Sequence, residues 1–425
     1  MSNTYPPPHP LFDTLEKIND LPSCITQSLA SFNIPETKRE FTLSLEFLKS
    51  YTQSKDTFTS YRREIERLLH FSWLVLKKTL KMITRNDIRD YLQFVQAPPK
   101  SWIATKIVDR FIDDQGIRRA NPDWRPFVVK VSKIAKRHGK LPNKNKYQLS
   151  NKSIEAIFAI LSSFFTFLQQ EEYLEINPVT LIRQKKAYIQ KQQTRKVTRR
   201  LSNLQWLYVI NTAETMAKEN KEYERTLFLM TAFYLLGLRI SELAYSSTHR
   251  ATMGSFAPDK RGLWWYSTVG KGNKMRDVAV PHELLLALKR YREHLNLPPL
   301  PQREESTPLF QKIKGKHGLG TRQIRNLVQI VFNRAIDQLF CAGKQDEAED
   351  LATATVHWLR HTAISTDVEF RPREHIRDDV GHENPATMDK YIDIDRVARH
   401  QSAQTKRLKP AHTEKPKPET IESDT

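Results

Sequence analysis

Cysteine is nearly absent. Cys24 and Cys341 are the two that 425 residues contain, which excludes a disulfide framework and fits a reducing, cytoplasmic setting. Long apolar runs are also lacking. The longest, Leu227 to Leu238, is broken by Thr231 and falls short of the ~20 residues that span a bilayer, so no membrane partner is expected. The N-terminal MSNTYPPPHP shows no basic-then-apolar pattern, and no secretory leader is expected. CxxC, HExxH and Asp-rich metal spacings do not occur, so no metal site is anticipated. There is no P-loop either, and Gly270-x-Gly272 is a lone glycine pair suited to a hairpin turn. No cofactor is expected, and no internal repeat is found.

Acid is the scarce charge. Sixty-eight Lys and Arg face 48 Asp and Glu, a formal net charge of +20, with a pI near 9.7 and a mean hydropathy of -0.59. An excess of this size points to a polyanionic partner, most commonly nucleic acid. The length exceeds one ordinary core, so two or three domains are expected.

Residues 1–36 contain prolines and little periodicity beyond a short amphipathic stretch around Leu15 to Ile18, and read as an N-terminal arm or a lightly packed helix. Over 37–182 the pattern is helical. Phe41, Leu45, Leu48 and Tyr51 share one face, and Tyr61, Ile65, Leu68 and Leu69 form a second helix. Thr84 with Asp87 resembles a capping start for a third. Ile154, Ile157, Phe158, Leu161, Phe164, Phe165 and Leu168 mark a fourth, which stops before Asn177-Pro178. Within this bundle an irregular insertion, about 97–149, carries Lys130, Lys133, Lys136, Arg137 and Lys140 without an intervening acid. It reads either as a solvated face or as a phosphate-contacting extension, and the uncompensated density favours DNA contact. A second basic run fills 183–201. Arg183, Lys185, Lys186, Arg195, Lys196, Arg199 and Arg200 have the composition of an interdomain linker that touches a polyanion.

A second domain is expected over 202–400. Ser202 with Gln205 resembles a capping box, two helices run to Leu238, and a polar stretch continues to Arg261. Leu263 to Val269 reads as a strand that turns at Gly270-Lys271-Gly272-Asn273 and returns over Met275 to Val280. Helices fill the rest to about Arg399. The tail, 401–425, is polar and proline-bearing, with the composition of disorder.

Four segments of this domain carry candidate chemistry. Gly237-Leu238-Arg239-Ile240-Ser241-Glu242-Leu243 ends an apolar helix with an arginine and then an acid. Gly270-Lys271-Gly272-Asn273-Lys274 sets a lysine at a hairpin tip. His357-Trp358-Leu359-Arg360-His361-Thr362 puts a histidine and an arginine three apart, on one helix face. Gly381-His382 precedes Tyr391 by nine positions (391 − 382). Each alone has a plainer reading, as a helix-end cation, a solvated turn lysine, a satisfied histidine or a packed tyrosine. Together, in this order, they resemble the tyrosine recombinase (phage integrase) family, closely over 202–400 and more loosely over the helical region before it.

The resemblance implies a mainly α fold. A helical, SAM-like core-binding domain would join a mostly α catalytic domain with a small antiparallel β-sheet. It implies Tyr391 as nucleophile, Arg239 and Arg360 as phosphate clamps, His357 as acceptor of the phenolic proton and Lys271, with Lys274 second, as acid for the leaving 5′ oxygen. His382 would bond the phosphate, and Glu242 would orient the arginines. The product would be a 3′-phosphotyrosine, whose retained bond energy makes ATP unnecessary for rejoining. Implied partners are double-stranded DNA with inverted half-sites, a homo-tetramer joined in trans through the C-terminal segment about Arg396 to Lys406, and accessory DNA-bending proteins. DNA integration by a mobile element is one implied setting. Type IB topoisomerase-like relaxation shares the chemistry, and a non-catalytic DNA-binding regulator shares the fold. The chain departs from the pattern in a shortened, charged Asp367 to Arg377 stretch, in Val380 where leucine is usual and in the 97–149 insertion, and residues 1–36 are too short for a full arm-binding domain to be expected there.

Overall fold

Two pairs of residues three apart start helices where the sequence predicts them. Thr84 Oγ1 accepts from the Asp87 N–H, while Asp87 accepts from the Thr84 N–H at 2.8 Å. Ser202 and Gln205 close the same reciprocal box. Each box satisfies backbone donors that a helix N-terminus leaves unpaired. The computed structural model describes residues 5–20, 22–137, 139–183, 199–246, 249–270, 272, 274–312, 315 and 317–381. The chain divides into two units, Met1–Arg195 and Lys196–Thr425.

The first unit opens with α1 (Ser23–Ser31), α2 (Thr37–Lys49), α3 (Lys55–His70) and α4 (Arg85–Gln96). Short strands follow: β1 (Ile103–Ala104), β2 (Phe111–Asp114), β3 (Ile117–Ala120) and β4 (Phe127–Val128). The short α5 (Lys133–Arg137) and the long α6 (Asn151–Gln170) complete it. Ile88, Tyr91, Leu92 and Val95 on α4 are buried in one core with the seven predicted apolar residues of α6, as a single apolar stripe requires. By length and composition α6 is apolar enough to cross a membrane, but it is the core helix of this unit.

Two expectations are corrected here. The segment read as an arm packs into the core: Leu11 and Phe12 are 1% and 0% exposed. Phe12 stacks on Phe41 with ring centroids 5.1 Å apart, and the Leu11 N–H donates to Glu66 Oε1 at 2.7 Å. An extended segment held by two side chains has no period to read. The insertion is also more regular than expected. β1 pairs in parallel with β4, and β2 with β3 forms a hairpin. Trp102, Phe111, Trp124 and Phe127 are buried. Trp102 Nε1 donates to Pro6 O at 2.9 Å, and Arg118 Nε to Asp13 at 2.6 Å, so insertion and N-terminal segment hold each other. Lys130, Lys133, Lys136, Arg137 and Lys140 are all exposed.

The second unit runs α7 (Asn203–Glu219), α8 (Glu224–Leu236), α9 (Ile240–Leu243), β5 (Phe256–Pro258), β6 (Trp264–Val269) and β7 (Met275–Ala279). It continues with α10 (His282–His294), α11 (Thr321–Cys341), α12 (Gln345–Thr353), α13 (Val356–Phe370) and α14 (Arg373–Val380). The predicted hairpin pairs Val269 with Met275 and Trp265 with Ala279. β5 extends it to an antiparallel sheet of order β5-β6-β7. That strand lies in the stretch read as polar loop, because three residues are too few to show alternation. Of the linker, Arg183 and Arg199 are exposed and Arg200 is half-buried. Leu201 is already core, its N–H donating to Thr362 Oγ1 on α13 at 2.9 Å. Lys185, Lys186, Arg195 and Lys196 lie outside the described residues, as do the C-terminal segment and tail. The fold class is the mainly α one expected, with small sheets.

Candidate active site

Gly237 ends α8 in the left-handed region, at φ 57°, a conformation that costs glycine little. The chain therefore turns before α9, and Arg239 occupies the N-cap of that short helix. Its N–H donates to Glu242 Oε2 at 2.7 Å and its guanidinium to Oε1 at 3.0 Å. Glu242 is fully buried. Tyr266 Oη donates to the Glu242 backbone carbonyl at 2.8 Å, fixing the same turn from the sheet.

Two more guanidiniums approach this carboxylate. Arg276 on β7 grips it with both terminal nitrogens, at 3.0 and 2.9 Å. Arg360 on α13 stands 4.0 Å away and donates to Gly237 O at 2.7 Å and Val380 O at 2.8 Å. Three cations minus one carboxylate leave the cluster at +2. Burial pushes the Glu242 carboxyl up, but the Arg276 bonds and charge, the Arg239 N–H and the Arg360 charge outweigh it. The net shift is below the ordinary carboxylate range, so Glu242 is ionised at neutral pH. The arginines differ in access: their side chains are 30% (Arg239), 11% (Arg276) and 1% (Arg360) exposed. Arg239 is the most open cation, and Arg360 is a buried brace.

His357 lies three residues before Arg360 on α13, on its exposed side, with its ring edge-on to His361 at 4.5 Å. Partial shelter of the ring and the charges of Arg360, Arg239 and Arg199 hold its pKa below the ordinary imidazole value. The ring is therefore neutral at pH 7 and able to accept a proton.

The structure thus brings Arg239, Glu242 and Arg360 together and sets His357 on the Arg360 helix. Lys271, His382 and Tyr391 lie outside the described residues. The residues beside Lys271 and before His382 are described: the Gly270 N–H donates to Lys274 O at 2.8 Å across the hairpin, and α14 is capped by Gly381 with φ 63°. Lys274 is exposed. Arg276 is the residue that sequence reading missed. Its signal was strand parity: Val278, two positions on, is buried, and side chains two apart share a face.

No family model matches the chain. It is similar to the tyrosine recombinase XerC of Thermodesulfovibrio yellowstonii, 23% identical over 316 residues that cover 73% of this chain and 84% of that relative. Its fold is similar to that of the XerH site-specific recombinase bound to palindromic difH substrate in a post-cleavage complex. There the TM-score is 0.55 at 15% identity, covering 94% of this chain and 91% of that one. The XerH pre-cleavage complex gives a TM-score of 0.51 at 14% identity, covering 95% and 99%. In motif order, sequence and fold the chain is similar to tyrosine-type site-specific recombinases.

Proposed function

We propose that this chain cuts and rejoins DNA through a covalent bond between the Tyr391 phenolic oxygen and a 3′ phosphate. The observation that carries the proposal is the +2 cluster, in which Arg239, Arg276 and Arg360 surround a single carboxylate. Attack on a phosphodiester adds negative charge to the non-bridging oxygens, and fixed guanidiniums stabilise that charge without reorganising. Arg239 meets the phosphate, with His382 as a second donor. His357, kept neutral, takes the phenolic proton as the O–P bond forms. The P–O5′ bond breaks, and Lys271 gives the departing oxygen its proton. The 5′ hydroxyl of a partner strand then attacks the phosphotyrosine and restores one diester, so neither ATP nor a metal enters the balance.

The post-cleavage XerH complex holds a palindromic substrate, and that symmetry supports inverted half-sites for this chain; a homo-tetramer on DNA belongs to the same reading. Exchange through the segment about Arg396 to Lys406 in trans, accessory bending proteins, a mobile-element setting and a cytoplasmic, DNA-associated location belong to the same reading. The exposed lysines of the insertion and the described linker arginines supply phosphate contacts, and binding weakens steeply with salt if they do.

A nicked suicide duplex tests the chemistry. Loss of a short 5′-hydroxyl fragment traps protein on DNA as a denaturant-resistant adduct. Wild-type chain is expected to form it and Tyr391→Phe to form none; an adduct that persists in Tyr391→Phe removes the assigned nucleophile. Relaxation of plasmids without exchange between two sites would replace recombination by a topoisomerase activity.

A further inference from the structure

Arg276 commits all three of its side-chain nitrogens. Nη1 and Nη2 take the two oxygens of Glu242, at 3.0 and 2.9 Å, and Nε donates to Asp379 O at 2.8 Å. One side chain therefore joins three segments. It stands on the return strand of the hairpin that carries Lys271, five positions on (276 − 271). It grips the carboxylate bonded to Arg239, and it bonds the last turn of α14 just before His382.

Two glycines leave the space it fills. A Cβ on Gly381 would lie 3.2 Å from Arg276 Cδ, and a Cβ on Gly270 would lie 2.7 Å from Arg276 Nη1. Gly381 has a separate reason to be glycine in its positive φ. Gly270 does not, and the guanidinium against it accounts for the missing side chain.

Glu242 accepts from both Arg239 and Arg276, so the two compete for it. With Arg276 holding both oxygens, Arg239 gives the carboxylate one side-chain bond and keeps the larger exposure. Without Arg276, the buried carboxylate would have Arg239 as its nearest cation and would draw that guanidinium inward, since an unpaired buried charge is costly. We propose that Arg276 is a positioning residue for strand cleavage: it holds Glu242 so that Arg239 remains available to the phosphate, and it fastens the Lys271 hairpin to the end of α14 that precedes His382. The inference rests on the recombinase reading above. A lysine in its place cannot bond two oxygens and a carbonyl in one plane.

The full chain is assayed in single turnover on a nicked duplex bearing the sequence that wild-type protein enriches from a randomised pool. Arg276→Gln is expected to slow adduct formation about 30-fold or more while its affinity for the same duplex stays within about 3-fold, a loss confined to the transition state. Arg276→Lys should recover part of the rate. Glu242→Gln combined with Arg276→Gln should be no slower than Glu242→Gln alone, within about 2-fold, because one acts through the other. The acid limb of the pH–rate profile should move up in Arg276→Gln, as Glu242 loses the partner that keeps it ionised. A wild-type rate constant in Arg276→Gln, or additive losses in the double variant, overturns the inference, and so does a reduced adduct yield at unchanged rate and pH profile. If Arg276→Gln does not fold, Gly270→Ala displaces the guanidinium and keeps its charge; a wild-type rate there overturns the inference equally. A wild-type chain that forms no adduct sinks the recombinase reading itself, an outcome distinct from variants that match an active wild type.

Discussion

Two carboxylates of the first unit and one of the second are buried in opposite ways. In the first unit, Glu40 and Glu66 are closed by donors that match them. Glu40 accepts from Trp73 Nε1, the Leu80 N–H and Tyr173 Oη, and Glu66 is held by Arg110 and the Leu11 N–H. Burial raises the Glu40 carboxyl in spite of its donors, whereas for Glu66 the Arg110 charge overcomes burial and lowers it. In the second, Glu242 is outnumbered by guanidiniums three to one. A balanced polar network fixes a fold and asks for nothing further. An unbalanced one keeps its cations spaced by a single acid and retains an attraction for an anion.

That contrast can be broken experimentally. Glu66→Ala and Glu242→Ala each leave buried guanidinium charge without its carboxylate and should each cost about 3–5 kcal/mol, read as lost hydrogen-exchange protection in the affected unit. The two should then separate on adding sulfate. The second unit gains about 1.4 kcal/mol at ten times the dissociation constant, and more in Glu242→Ala, where the cluster rises from +2 to +3. The first unit should not respond in either form, and an equal response of both units would end the distinction. The smallest effect is on pH. Because the His357 pKa is held down, cleavage should survive below the ordinary imidazole value of 6.5 and fall as the ring, or the Glu242 carboxylate, takes up a proton. Arg199→Ala removes one of the charges responsible and should move that limb up; an unmoved limb would show that Arg199 does not act on the ring. The same sign governs stability. For His357 it is lost as pH falls from 6.5, and for Glu242 as pH falls from the ordinary carboxylate value toward its lower folded one.

Helices with a full apolar stripe were legible in the chain, as α6 and the box that starts α4 show. The hairpin and three members of the cluster, Arg239, Glu242 and Arg360, were legible because local motif and secondary structure coincide there. Phe12 was not, since its burial against Phe41 depends on a contact between distant segments and on no period. β5 was too short to alternate. Arg276 was hidden by its strand: the eye passes over a charge in a β-segment unless the buried neighbour at i+2 is used to assign its face.

Arg360 sits at the meeting of two helix C-termini, donating to Gly237 O at the end of α8 and to Val380 O at the end of α14. Each such end carries a partial negative charge of roughly half an electron. Two of them bring the effective charge of the pocket from +2 to about +1, close to equal and opposite to one phosphodiester. The proposed exchange needs the backbone to be released as readily as it is held, and a pocket tuned in this way would favour the more highly charged pentavalent state over the diesters on either side of it. Reversibility of exchange would then be set by where two helices stop.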